Sequence, residues 1–109
     1  MKKTFTKLRV RYAETDQMGV VYYGNYAQYL EQGRTEWLRS LGFSYKYMEE
    51  NQVMLPVVNL TIDYKYPAKY DDVIKITTTL KKTLEFFILK MTMKQKKEYI
   101  QKTLQILKI

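Results

Sequence analysis

The 109-residue chain contains no cysteine and no histidine. The first absence excludes disulfides, a thiolate nucleophile and a cysteine-ligated zinc site. The second excludes a Ser-His triad, an imidazole base and a histidine-bound metal. Acid–base chemistry therefore falls to Asp, Glu, Lys or Tyr, or to backbone dipoles. No apolar run approaches the roughly 18 residues of a membrane-spanning helix. The N-terminal segment from Met1 to Leu8 is basic but has no apolar stretch, so it does not read as a signal peptide, and a cytoplasmic location is the expectation. Acidic residues are also scarce: 11 Asp and Glu against 19 Lys and Arg give a formal charge of +8. Such a balance points to polyanions, either nucleic acid or a phosphorylated cofactor such as coenzyme A. Solubility is the plainer account, because the lysines are scattered and cluster only in pairs such as Lys81-Lys82 and Lys96-Lys97. No aromatic–basic signature of nucleic-acid binding is present, and no such partner is expected.

What is present is one domain's worth of chain with a modest core and eleven tyrosines. Residues 4–13 alternate loosely through Phe5, Leu8, Val10 and Tyr12 and predict a strand. A glycine-punctuated loop follows at 17–24. Tyr26, Tyr29, Leu30, Gly33, Trp37, Leu38 and Leu41 then recur at helical spacing, predicting a helix over about 24–41. Asn25 and Gln28 have the spacing of a capping pair, and Gly42 reads as the stop. Gly33 is unfavourable inside a helix. Its place on the apolar stripe implies a close approach to a sheet. Ser44 is a candidate cap for a short second helix, Tyr45 to Asn51.

From Val53 the period becomes two. Val58, Leu60, Ile62, Tyr64 and Tyr66 alternate with polar residues, predicting a long strand with one buried face between Pro56 and Pro67. Ala68 to Asp72 reads as a turn and 73–81 as a β-branched strand. Residues 84–93 and 99–108 read as a hairpin around Gln95-Lys-Lys-Glu98. One apolar-striped helix with mostly antiparallel strands implies an α+β fold whose sheet curls around the helix.

The candidate chemistry lies between the first strand and the long helix. Asp16 sits in a short loop there, with Gly19 and Gly24 allowing tight turns and close approach to a ligand. A carboxylate beside the amide-rich start of a helix forms a plausible pair: the acid attacks or activates water, and the amides stabilise an oxyanion. Alone, Asp16 reads more readily as an Asx-turn residue. Glu31 and Glu36 read as helix acids paired with Arg34 and Arg39. Tyr12, Tyr22, Tyr26, Tyr29, Tyr64 and Tyr66 read singly as packing residues and jointly as walls of an acyl pocket.

Arg9-Val10, Thr15-Asp16, Gly19-Val-Val-Tyr-Tyr23 and Asn25-Tyr26 resemble, at matching spacing, the signature of the 4-hydroxybenzoyl-CoA thioesterase family. Tyr29-Leu-Glu31, Gly33 to Arg39, and Tyr70 to Ile76 continue the resemblance, which weakens after Lys82. It implies a single hotdog domain over 1–109, with a five-stranded antiparallel sheet wrapped around one long central helix. It also implies a homodimer or homotetramer with active sites between subunits. The implied activity is hydrolysis of an acyl-CoA thioester to a carboxylic acid and free CoA, without metal or organic cofactor. Carried over, Asp16 matches the catalytic acid and Tyr23 the position whose backbone amide polarises the carbonyl. Tyr22, Gly24, Asn25 and Tyr26 adjoin that pair as substrate-binding candidates. Lys81 and Lys82 match a turn that places basic residues against CoA phosphates in relatives, and Glu31 is a fallback base. The divergent segment from Thr83 leaves a second reading, an acyl-CoA-binding hotdog protein without catalysis.

Overall fold

The computed structural model describes residues 3–42, 45–51, 56–82, 86–95 and 98–108. In chain order these form β1 (Lys3–Arg9), single helical turns at Tyr12–Glu14 and Tyr23–Asn25, and α1 (Tyr26–Ser40). There follow α2 (Tyr45–Glu50), β2 (Val57–Tyr64), β3 (Val73–Lys82), β4 (Phe86–Gln95) and β5 (Glu98–Lys108). The strands make one sheet in the order β1-β3-β4-β5-β2, every pair antiparallel.

The sheet alternates as a half-buried surface should. Ile74 and Ile76 of β3 and Leu89, Met91 and Met93 of β4 are fully buried on the inner face. Helix α1 lies on that face and contributes Tyr26, Tyr29, Leu30, Trp37 and Leu38 to the same core. Gly33 explains how close it lies. A Cβ there would stand 2.9 Å from Ile76 Cγ2 and 3.3 Å from Thr78 Oγ1, so a side chain would push the helix off the sheet. The helix ends as its sequence indicates: Gly42 has φ +88° and its amide reaches the Arg39 carbonyl at 2.9 Å.

Several expectations are corrected. The first strand stops at Arg9, because Arg11 to Glu14 coil into a helical turn closed by Glu14 N donating to Arg11 O. The long helix begins at Tyr26, and Asn25 lies in the tighter turn before it with helical backbone and no capping hydrogen bond. Lys81 and Lys82 are the last two residues of β3, paired with Ile88 and Phe87, rather than part of a turn. The face expected to be buried on β2 is largely open, although Ile62 packs against the core. Val58, Leu60 and Tyr64 are 50%, 41% and 51% exposed, because β2 is an edge strand joined only to β5 and the packing of α1 on the sheet is to β1 and β3. The proposed Ser44 cap and the change of period at Val53 lie outside the described residues.

Candidate active site

The segment between β1 and α1 is pinned at three places. Val10 N donates to Asp72 O at 2.9 Å, and Asp71 N returns a bond to Val10 O at 3.0 Å. Val21 N donates to Ala68 O at 2.8 Å, and Tyr22 N to Glu14 O at 3.0 Å. Between these anchors, residues 15–21 form a narrow loop in which Thr15 bridges Val21 and Val20 bridges Lys69. Gly19, at φ +79°, supplies the left-handed residue the reversal requires.

Asp16 holds this loop together and faces out of it. Its Oδ1 accepts Met18 N at 2.8 Å and Val20 N at 3.4 Å, while its own amide donates to Val20 O at 2.9 Å. This is the Asx-turn geometry that the residue type allows. Among the described residues nothing donates to Oδ2. The turn therefore orients the carboxylate and leaves one oxygen available. Asp16, Met18, Val20, Val21, Tyr23 and Tyr26 line one side of an open cleft of about 560 Å3, and Tyr64 to Pro67 line the other.

The helix start borders the same cleft. The amides of Tyr23 and Gly24 are the first of the helical run and precede any helical carbonyl that could take them. Asn25 N and Tyr26 N are already bonded to Tyr22 O and Tyr23 O. The N-terminal end of α1 and Asp16 thus border one cleft. Gly24 has an ordinary negative φ, so its role is space: a Cβ would lie 2.6 Å from Tyr22 Cε2. Tyr22 in turn rests against Tyr23, with ring centroids 4.7 Å apart. Tyr64 meets both Tyr23 and Tyr26 edge to face.

Glu14 is the residue that sequence reasoning missed. It is only 8% exposed. Its Oε1 accepts Arg11 N at 2.8 Å and the Tyr29 hydroxyl at 2.9 Å, and its Oε2 accepts the Arg11 guanidinium. Burial alone would raise its pKa, but the Arg11 amide, the Tyr29 hydroxyl and the Arg11 charge outweigh burial and hold the carboxyl below its usual value. The same burial, reinforced by the Glu14 carboxylate, pushes the Tyr29 hydroxyl well above its ordinary pKa. The Glu14 carbonyl also accepts Tyr22 N and Asn25 Nδ2, the latter at 2.9 Å. One residue thereby ties the Asp16 loop to the helix start.

Of the candidates read from sequence, Asp16, Tyr23 and Tyr26 come together in the cleft. Tyr22 and Gly24 buttress it, and Asn25 is a tether. Lys81 and Lys82 are not brought to it within one chain: they close the end of β3 opposite Val73, whereas the cleft lies by the turn that precedes Val73. The Lys82 side chain is outside the described set. Glu31 lies on the outer face of α1 with Gln28, Gln32 and Thr35, and bonds Arg34 at 2.6 Å. Lys65, which the sequence did not single out, lines the cleft and pairs with Asp63.

The family model described as "Thioesterase-like superfamily" matches residues 10–103. The chain belongs to the thioesterase-like superfamily. It is 47% identical over 72 residues to the putative acyl-CoA thioesterase YneP of Bacillus subtilis, a match covering 66% of this chain and 52% of that protein. It thus spans about half the length of that relative. The DHNA-CoA thioesterase of Staphylococcus aureus is 34% identical and superimposes with a TM-score of 0.92 over 99% of this chain and 74% of its own. The 4-hydroxybenzoyl CoA thioesterase of Pseudomonas sp. strain CBS-3 shares the fold, with a TM-score of 0.89 over 99% of this chain and 84% of its own at 20% identity. The hotdog architecture, an antiparallel sheet around one long helix, is therefore shared.

Proposed function

We propose that the protein hydrolyses acyl-CoA thioesters to a carboxylic acid and free CoA, with Asp16 and the Tyr23 main-chain amide as the working pair. The observation that supports this reading is the cleft that Asp16, its carboxylate held by the Met18 amide, shares with Tyr23 and Tyr26 at the helix start. As a tetrahedral centre forms, the thioester carbonyl oxygen gains negative charge. A preorganised amide stabilises that charge by about 2.7–4 kcal/mol, the loss typical of one deleted oxyanion donor. Asp16 Oδ2 either attacks the carbonyl carbon, giving an anhydride that water then opens, or takes a proton from the attacking water. In both routes the C–S bond breaks, the sulfur leaves as thiolate and is protonated by solvent. The reaction needs no metal or organic cofactor.

The apolar edge of β2 supports a second element of the reading. Val58, Leu60 and Tyr64 are uncovered, and the cleft wall formed by Tyr64 to Pro67 continues from them. A second copy packed along this edge would cover them and close the open side of the cleft, in a homodimer or homotetramer. In such an assembly Lys81 and Lys82 would serve a neighbouring site through the CoA phosphates.

The test is a panel of short, long and aromatic acyl-CoA substrates. Wild type hydrolyses at least one, and Asp16→Asn lowers kcat by about two orders of magnitude or more while Tm is kept. An unchanged kcat removes Asp16 from the mechanism. Binding by wild type without turnover of any member favours the non-catalytic reading.

A further inference from the structure

Glu14 stands two residues before Asp16 but outside its cleft. With Gln28, Tyr29 and Gln32 it lines a separate groove between β1 and α1. Neither Glu14 nor Tyr29 borders the space that Asp16 shares with Tyr23, so any effect of Glu14 on a substrate there passes through other residues. Glu14 is nevertheless held to the helix at both of its ends. Its Oε1 accepts the Tyr29 hydroxyl at 2.9 Å, and its carbonyl oxygen accepts Asn25 Nδ2 at 2.9 Å. Asn25 and Tyr29 are four residues apart, about one helical turn. The two contacts therefore grip the start of α1 at two heights, which fixes its angle as well as its distance. Tyr22 N, bonded to the same carbonyl at 3.0 Å, belongs to the residue before Tyr23. The Tyr29 ring meets Tyr26 edge to face, with centroids 5.7 Å apart, and Tyr26 borders the cleft. The other ties of this segment, Val10 to Asp72 and Val21 to Ala68, run to the connection before β3 and not to the helix.

A buried carboxylate is a costly way to hold a loop. Its ion pair contributes little, because the Arg11 side chain is 77% exposed and its charge is screened by water. What the carboxylate supplies is direction. It is an acceptor only, and Oε1 receives both the Arg11 amide, at 2.8 Å, and the Tyr29 hydroxyl. A glutamine in its place carries donors on one side, where the Arg11 guanidinium also donates. We propose that Glu14 is a positioning residue for hydrolysis: through Tyr29 and Asn25 it holds the helix start that carries the Tyr23 amide in place against the segment that carries Asp16. This rests on the thioesterase reading above and adds to it the residue that sets the geometry of the pair. Placement at this level matters to the rate, since a shift of about 1 Å between reacting groups costs on the order of a hundredfold.

The test uses the full chain and the best acyl-CoA of the substrate panel, at a temperature well below the melting transition of every variant. Tyr29→Phe removes one oxygen and leaves the ring in the core. Its kcat falls about tenfold or more while KM stays within about twofold. Glu14→Gln shows the same split. The double variant loses less than the product of the two single losses, because both act through one contact. If Glu14→Gln does not fold, Tyr29→Phe alone decides the matter. An unchanged kcat in Tyr29→Phe, even with a lowered Tm, overturns the proposal, since the contact then serves stability alone. A rise in KM at constant kcat overturns it too, as do losses that multiply in the double variant. Each of these results leaves the loss of activity in Asp16→Asn, and with it the thioesterase reading, standing. A wild type that turns over no member of the panel overturns that reading and this one together.

Discussion

Replacing Glu14 by glutamine keeps an acceptor near the Arg11 amide and the Tyr29 hydroxyl but removes the charge that the Arg11 guanidinium meets. Because folding lowers the Glu14 pKa from an ordinary 4.5, its contribution to stability is full above that value and is lost as pH falls through the lower folded value. The gap in Tm between wild type and Glu14→Gln should therefore narrow as a melting series descends from pH 7 through pH 4.5 and below; a constant gap would deny the carboxylate this role. Asn25→Ala gives a complementary result. If Asn25 were a helix cap, its loss would mainly lower Tm. As a tether to the Glu14 carbonyl, its loss should lower kcat more than it lowers stability, because the helix start loses one of its ties to the segment that carries Asp16. Asp16 was legible in the sequence because its whole setting is contiguous, from Arg9 to Tyr26. Glu14 was not, because the group that makes it special, the Tyr29 hydroxyl, is fifteen residues away and meets it only once the helix is docked.

Helix α1 shows how much of an element its own sequence determines. Its stripe from Tyr26 to Leu38, its Gly42 stop and the closeness implied by Gly33 all follow from spacing and are present, whereas Leu41, read as the last residue of the stripe, lies past the helix and is 41% exposed. Its first turn does not follow: the tighter coil at Tyr23–Asn25 arises because Tyr22 N and Asn25 Nδ2 are pulled to the Glu14 carbonyl, a tertiary constraint that a capping pattern cannot anticipate. Gly33→Ala tests the packing. Alanine would favour the helix by about 1 kcal/mol on propensity alone. The contacts at 2.9 Å to Ile76 and 3.3 Å to Thr78 are fully buried and oppose this with an overpacking penalty of about 1–3 kcal/mol. A net loss of Tm is expected, and a rise would mean the sheet yields more readily than its burial suggests. Strand β2 carries the opposite lesson. Its alternation was read correctly as a hydrophobic face, but a periodicity cannot say whether the cover comes from the same chain.

At the scale of the molecule, that uncovered edge sets a prediction about assembly. A stable self-association buries about 800 Å2 on each side. Sedimentation velocity should show a dimer or larger species for wild type, and Leu60→Asp should shift it toward monomer with a parallel fall in hydrolysis. A monomeric wild type would remove the second copy from the proposed site. The overall charge illustrates the limit of composition in the same way. The sum of +8 is visible in any count, whereas the placing of Lys7 opposite Lys75 across β1 and β3 depends on strand register, which a linear reading does not supply. One further consequence follows from the way Ala68 is held. It is completely enclosed, its amide donates to the Tyr26 hydroxyl at 3.1 Å, and its carbonyl receives Val21 N. A residue of an irregular connection is thus clamped through both of its peptide groups to the ground from which the long helix rises. In a deuterium-exchange experiment the protons of Ala68 and Val21 should survive as long as those in the middle of the sheet, as expected if the cleft is a rigid mould rather than a hinged jaw.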